Sequence, residues 1–340
     1  MSSVHTVNYS ASELPDNNSI LLIPPREIRI PLGDNYGGIE RIVEDLYNHM
    51  KRCNVKVSLL DWDKEFTDTD GFMTLDFSHL KDLSIFFPST SYIAYTFATD
   101  RISWKHDVFA TKVVKDWFRK VNLLTGGNDI YLSSCPVVYP GIQDIYSYNE
   151  QKEEYALFLG RIAPYKGVLE AIEAAKMMNL PIKVAGHTGM FAGPNEYIKK
   201  VKDACENYSR GEFIGDVTTK QKVDLLSHAR CLIAPSDWSI LPGSPPESFG
   251  IIAVEALLSG TPVIGPTNSG IEEIVTKGKT LPQSRAGELV RKGKTSEETI
   301  KGYAYAMRII DILTDAKSCR EVGSYFTVER FWNDLIGVSR

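Results

Sequence analysis

The sequence predicts an α/β protein made of two doubly wound units. Short apolar runs alternate with amphipathic stretches in strand–loop–helix order, and most strands are followed by Gly, Pro or Ser. The polar stretch Tyr148-Asn-Glu-Gln-Lys-Glu-Glu154 marks a linker between the halves. At 340 residues the chain has the length of two ordinary domains. The expected division is a first domain over 1–148 and a second over 149–319, followed by a closing segment over 320–340.

In the first half, Ser19–Ile23 is an apolar run stopped by Pro24-Pro25 and reads as a buried strand. Gly33–Gly38 is a glycine-rich loop. Ile39–Lys51 then sets Ile39, Ile42, Val43, Leu46 and Met50 on one helical face. Val55–Leu60 is the next strand, and this βαβ rhythm implies a parallel sheet. Leu83–Phe87 and Ser91–Phe97 read as strands, and Phe109–Lys120 as an amphipathic helix. The second half is more regular. Strands are expected at Tyr155–Leu159, Ile182–Ala185, Phe213–Gly215, Cys231–Ala234 and Pro262–Ile264. Helices are expected at Val168–Met178, Asn195–Cys205, Lys220–Ala229, Gly250–Leu258, Ile271–Val275 and Glu297–Leu313. Two open sheets of this kind hold a ligand in the crevice at the carboxyl ends of their strands.

Composition narrows the function classes. Apolar residues are 43% and charged residues 24% of the chain, as in soluble globular proteins. No apolar run approaches the ~20 residues that span a bilayer. Met1–Pro15 lacks the basic-then-apolar order of a secretory signal. None of the five cysteines sits at CxxC spacing, which predicts reduced thiols and a cytoplasmic location. A formal net charge of −5 argues against nucleic-acid binding. Residues 1–150 hold 14 basic and 20 acidic side chains, and 151–340 hold 24 and 23, so the second half is the better anion binder.

The phosphate loop GxxxxGK[ST], the dinucleotide fingerprint GxGxxG, the nucleophile elbow GxSxG and the zincin HExxH are all missing. What stands in their place is an ordered set. Gly160-Arg161-Ile-Ala-Pro-Tyr-Lys166-Gly167 puts two cations between a strand and a helix N-terminus, where anions are favoured. Arg161 can grip phosphate oxygens as a fork, and Lys166 supplies a point charge; two solvated surface cations are the plainer alternative. Glu247-Ser-Phe-Gly-Ile-Ile-Ala-Val-Glu255 then separates two carboxylates, the first in a Pro-rich loop and the second inside a helix. Glu255 is flanked by Ala253, Val254, Ala256 and Leu257, so its carboxylate is part-buried and needs a partner such as a ribose hydroxyl. Gly260-Thr-Pro-Val-Ile264 and Gly270-Ile-Glu-Glu-Ile-Val275 follow.

Taken together, these motifs resemble the donor half of glycosyltransferase family 4, over about residues 155–280. Gly37-Gly38-Ile39-Glu40 resembles the family's N-terminal glycine loop, and Tyr139-Pro-Gly-Ile142 the segment closing the first domain. The resemblance implies a GT-B fold, two Rossmann-like domains facing across a cleft, with the closing segment 320–340 packing back on the first. It further implies a retaining, metal-independent transfer of sugar from a nucleoside-diphosphate sugar to an unidentified acceptor, with no cofactor. Arg161 and Lys166 would then neutralise the diphosphate and Glu247 would face the donor sugar. Glu255 would bind the ribose hydroxyls. Gly37, Gly38, Gly160 and the backbone of Ser248-Phe249-Gly250 would line the donor, and Val217, in Phe213-Ile-Gly-Asp-Val217, would touch the nucleobase.

The chain departs from the family in one place. Where many members carry a histidine facing the sugar, this sequence reads Tyr95-Thr-Phe-Ala98-Thr-Asp100. His106 and Asp100 are replacement candidates, and a catalytically degenerate nucleotide-sugar binder or a GT-B epimerase are alternative readings. His187, after a donor-domain strand, either approaches the donor or is an ordinary loop histidine. Asp61-Trp-Asp63 has the pattern of a metal motif but belongs to the wrong domain. Arg101–Lys120 interleaves six Lys/Arg with Trp104, Phe109, Trp117 and Phe118. Either it docks on an anionic membrane face or it is a helix with core aromatics and solvated charges.

Overall fold

The computed structural model describes residues 6–9, 19–23, 38–59, 73–76, 83–87, 91–96, 107–109, 112, 115–116, 135–189, 192–240, 247–277 and 285–339. The chain divides into two compact units, one of Met1–Gln143 with Thr327–Arg340 and one of Asp144–Phe326.

The first unit contains β1 (Thr6–Tyr9), β2 (Ser19–Ile23), α1 (Gly38–Arg52), β3 (Lys56–Leu59), β4 (Met73–Asp76), β5 (Leu83–Phe87), β6 (Ser91–Thr96) and β7 (Asp107–Phe109). Strands β2 and β3 are parallel, as the βαβ rhythm requires. Helix α1 buries Ile42, Val43, Leu46 and Met50, the stripe that the periodicity predicts. The sheet then turns mixed, in the order β3-β2-β5-β6-β7, with β5 antiparallel to both β2 and β6. An all-parallel sheet is excluded here by connection length. Pro88-Ser-Thr90 leaves only three residues between β5 and β6, whereas a parallel crossover needs about a dozen or more. Phe109, expected to open a helix, closes strand β7 instead.

The second unit runs β8 (Ala156–Leu159), α2 (Val168–Met177), β9 (Ile182–Ala185), α3 (Asn195–Glu206), β10 (Gly211–Gly215), α4 (Thr219–His228), β11 (Cys231–Ile233), α5 (Ile251–Leu258), β12 (Val263–Pro266), α6 (Gly270–Lys277), β13 (Gly287–Val290), α7 (Ser296–Leu313) and α8 (Ala316–Gly323). Its six strands are all parallel, in the order β10-β9-β8-β11-β12-β13. This is the doubly wound arrangement, with the order reversing between β8 and β11. Every residue of β8 is buried, which explains its unbroken apolar run. Helix α5 buries six consecutive residues, Ala253–Leu258, and therefore carries apolar side chains all round except at Glu255.

Local signals agree with these elements. Thr218 and Gln221 form a capping box at the start of α4, and Thr295 and Asp315 cap α7 and α8. Lys152 donates to the carbonyls of Ser227 and Ser259 and to the Thr261 hydroxyl at 2.8–2.9 Å, tying together the C-terminal ends of α4 and α5. Burial pulls its ammonium down to about 8.

Helix α9 (Val328–Ser339) belongs to the first unit, packing on α1 and burying Val328, Phe331, Trp332 and Leu335. Arg330 donates to the carbonyls of Tyr139 and Pro140, and Ile142 bridges to Thr327. A Cβ at Gly141 would stand 2.0 Å from the Thr327 carbonyl oxygen, so only glycine allows this approach. All five cysteines are free thiols, four of them buried. No helix among the described residues is long and apolar enough to cross a membrane.

Candidate active site

In a doubly wound sheet the ligand crevice lies at the carboxyl ends of the strands flanking the switch point. In the second unit those strands are β8 and β11. The segment leaving β8 carries Gly160 and Arg161, then a short 3-10 turn, Pro164–Lys166, that delivers Lys166 just before α2. The long connection leaving β11 returns through Glu247-Ser-Phe-Gly250 to α5. Lys166 and Glu247 meet there as an ion pair, their side chains only 17% and 12% exposed. The Tyr165 ring centre is 5.8 Å from the Arg161 guanidinium carbon and 5.9 Å from the Lys166 ammonium. Burial pushes the Tyr165 hydroxyl up, against the opposing pull of Arg161.

The loop around Glu247 is set by its backbone. Gly250 caps α5 with φ +85°, and a Cβ there would stand 2.4 Å from Ile271 Cγ1. The Gly270 amide, at the start of α6, donates to the Glu247 carbonyl at 2.7 Å. Phe249 is buried and meets Phe326 edge-on at 5.7 Å. Ser248 is half-buried.

Glu255 sits one and a half turns into α5 and is 3% exposed. Its Oε1 accepts from the Tyr146 hydroxyl at 2.5 Å and from the Lys222 ammonium at 2.7 Å. A partner for the buried carboxylate is thus supplied by the protein itself. Neither Tyr146 nor Lys222 is among the residues the sequence singles out. Tyr146 lies beside the linker, and Lys222 on the first turn of α4 reads as one surface charge among several.

A third cluster lies at the ends of β9 and β10. Asp216 accepts from His187 Nδ1 at 3.0 Å, from the Thr188 amide at 3.3 Å and from the Thr188 hydroxyl at 2.5 Å. Desolvation raises its carboxyl, yet these hydrogen bonds prevail and hold it below its ordinary value. His187 therefore anchors the loop that leads to Val217, which is half-buried. At the end of β11, Asp237 accepts from Lys292 at 2.6 Å, and its amide donates to the Tyr165 carbonyl.

The structure gathers Arg161, Lys166, Glu247, Ser248, Phe249 and Gly250 at one edge of one sheet, with Glu255 deeper in the helix that follows. Gly38 opens α1 in the first unit. Gly37, Asp100 and His106 lie outside the described residues, as do Asp61, Asp63 and most of Arg101–Lys120. A cavity of about 480 Å³ lined by Glu150, Lys152, Arg230 and Asp311 lies at the opposite, amino-terminal edge of the strands.

An uncharacterized glycosyltransferase of Methanocaldococcus jannaschii is 28% identical over 142 residues, covering 42% of this chain and 37% of the relative. The lipopolysaccharide 1,2-N-acetylglucosaminetransferase of Salmonella typhimurium is 29% identical over 131 residues, covering 36% and 33%. The chain thus spans about a third of the length of these curated relatives. The crystal structure of AviGT4, a glycosyltransferase involved in avilamycin A biosynthesis, superposes with a TM-score of 0.64 at 22% identity, over 90% of each chain. The fold is GT-B. Residues 144–326, more than half of the chain, match the model of glycosyl transferases group 1, and the protein belongs to that family.

Proposed function

We propose that the protein is a retaining glycosyltransferase of family 4, which moves a sugar from a nucleoside-diphosphate sugar to an acceptor without a metal ion. The observation that supports it most directly is the meeting of Lys166 and Glu247 beside Arg161, at the carboxyl ends of β8 and β11. In glycosyl transfer the bond from the anomeric carbon to the diphosphate oxygen breaks while the acceptor hydroxyl bonds to that carbon. Negative charge grows on the departing diphosphate, and fixed cations at the switch point stabilise it as it forms. Arg161 and Lys166 serve that role, and Glu247 receives the donor sugar's hydroxyls. In retention through one face, the acceptor's proton passes to the leaving phosphate oxygen, so the reaction does not depend on a histidine at the position of Ala98. Glu255 accepts from the ribose, and Val217 lies against the nucleobase.

The test is calorimetric titration of the full chain with UDP, GDP and ADP, each against its nucleoside. Arg161→Ala should weaken the diphosphate by about tenfold or more, as expected for a lost charged hydrogen bond. The nucleoside should change far less; an equal loss for both ligands would refute the phosphate assignment. Donor turnover in excess chelator checks the metal-free reading, and complete loss restored by a divalent cation would end it. A protein that binds the donor yet neither transfers nor hydrolyses it would be the degenerate binder instead.

A further inference from the structure

Glu255 is placed in a way its position on α5 does not require. Its Oε1 has two lone pairs, and both are used: one by the Tyr146 hydroxyl, one by the Lys222 ammonium. Among the described residues, Oε2 accepts no hydrogen bond, although the side chain is only 4% exposed. With Oε1 filled, Oε2 is the acceptor that this carboxylate keeps open to a donor that arrives with a ligand. The two anchors come from different segments, Tyr146 from the entry to the second unit and Lys222 from α4, which fixes the carboxylate from two directions. Lys222 also lies 5.8 Å from the Tyr146 ring centre, so the three side chains form one cluster.

We infer that Lys222 and Tyr146 are the positioning residues of this carboxylate: they occupy Oε1 and leave Oε2 as the face offered to a ribose hydroxyl. The inference rests on the proposed reading of Glu255 as the ribose contact. Ribose recognition in this protein then depends on a lysine and a tyrosine that themselves touch no part of the nucleotide. A carboxylate held in one orientation loses little freedom on binding, and the hydroxyl it accepts from cannot be replaced by water without cost.

The measurement is the affinity ratio between a ribonucleoside diphosphate and its deoxy counterparts. It uses the full chain with UDP, GDP and ADP and their 2′-deoxy and 3′-deoxy forms. The wild type should prefer the ribose form by about tenfold, the size of one charged hydrogen bond. Glu255→Gln and Lys222→Met should each bring the ratio close to one, and Lys222→Arg should restore most of it. A Lys222→Met protein that melts earlier but keeps the wild-type ratio would show a merely structural ion pair and overturn the inference. If Lys222→Met does not fold, Tyr146→Phe decides: a reduced ratio supports the inference and an unchanged one refutes it. The two levels separate cleanly. If Glu255→Gln itself keeps the ratio, or the wild type has no preference, the ribose role of Glu255 fails and the inference with it. If Glu255→Gln abolishes the ratio while Lys222→Met does not, only the inference fails.

Discussion

Two of the second unit's lysine–glutamate pairs are joined by the stretch of chain from Glu247 to Glu255, yet they are held in different ways. Lys166 and Glu247 both sit on connections, a 3-10 turn and a loop, at the mouth of the crevice. Lys222 and Glu255 sit on helices α4 and α5, and Tyr146 binds the same carboxylate oxygen as the lysine. Their exposures are close, 17% and 12% against 15% and 4%, so burial alone does not distinguish them. Backbone support does. A pair on loops can part when a ligand offers a better partner for each charge, whereas a pair clamped between helices orients one group and stays closed. On the proposed reading, the first pair serves the reacting end of the donor and the second its recognition end.

Breaking the helical pair should have the largest effect. Lys222→Met leaves a buried carboxylate without its counter-charge and should lower unfolding free energy by about 3–5 kcal/mol in urea titrations. Lys166→Met should cost clearly less; equal losses would erase the contrast. Activity should answer in the opposite sense, with Lys166→Ala reducing donor turnover roughly 10²–10³-fold, as for removal of one group that stabilises developing charge. Steady-state rates with the best donor of the nucleotide panel provide the check.

The joint between the two pairs can be strained directly. Gly250→Ala forces a side chain into φ +85° and against Ile271, and should cost about 1–3 kcal/mol. It should weaken donor binding more than it weakens nucleoside binding, because the Glu247 loop moves while α5 holds. The smallest effect belongs to Asp216, an exposed carboxylate 42% open to solvent. Its folded pKa lies below the ordinary 3.8, so the folded state holds the proton less tightly than the unfolded one. The stability it contributes is complete above that value and is lost as pH falls through the lower folded value. Asp216→Asn should therefore remove less than about 1 kcal/mol at neutral pH and flatten the acid side of the stability profile.

The second unit was legible because its signals are local. Four apolar residues closed by Gly160, or Thr218 followed three positions later by Gln221, announce a strand end or a helix start within a few residues. Arg161, Lys166 and Glu247 fall on connections in the sequence pattern, where the structure has them. The local pattern leaves β13 unmarked, because its Gly-Glu-Leu-Val is short and lies at the sheet edge, and likewise α8, an eight-residue helix whose buried face is Cys319, Val322 and Gly323. In the first unit a strand-like run was visible at β5 and β6, but their antiparallel pairing was not. Apolar pattern marks which residues are buried and says nothing about the direction of the neighbouring strand; the three-residue connection decides that.

The sequence by itself determined the alternation of elements, the glycines that conformation or close approach demands, and the order of the charged residues that carry the family likeness. These follow from periods of two and 3.6 and from backbone sterics, which act between near neighbours in the chain. Only the tertiary structure decided which charge meets which. Lys166 lies 81 residues from Glu247, and Tyr146 lies 109 from Glu255. Such partnerships depend on strand order and helix packing, because Coulomb attraction and hydrogen bonding act through space and carry no trace in spacing along the chain.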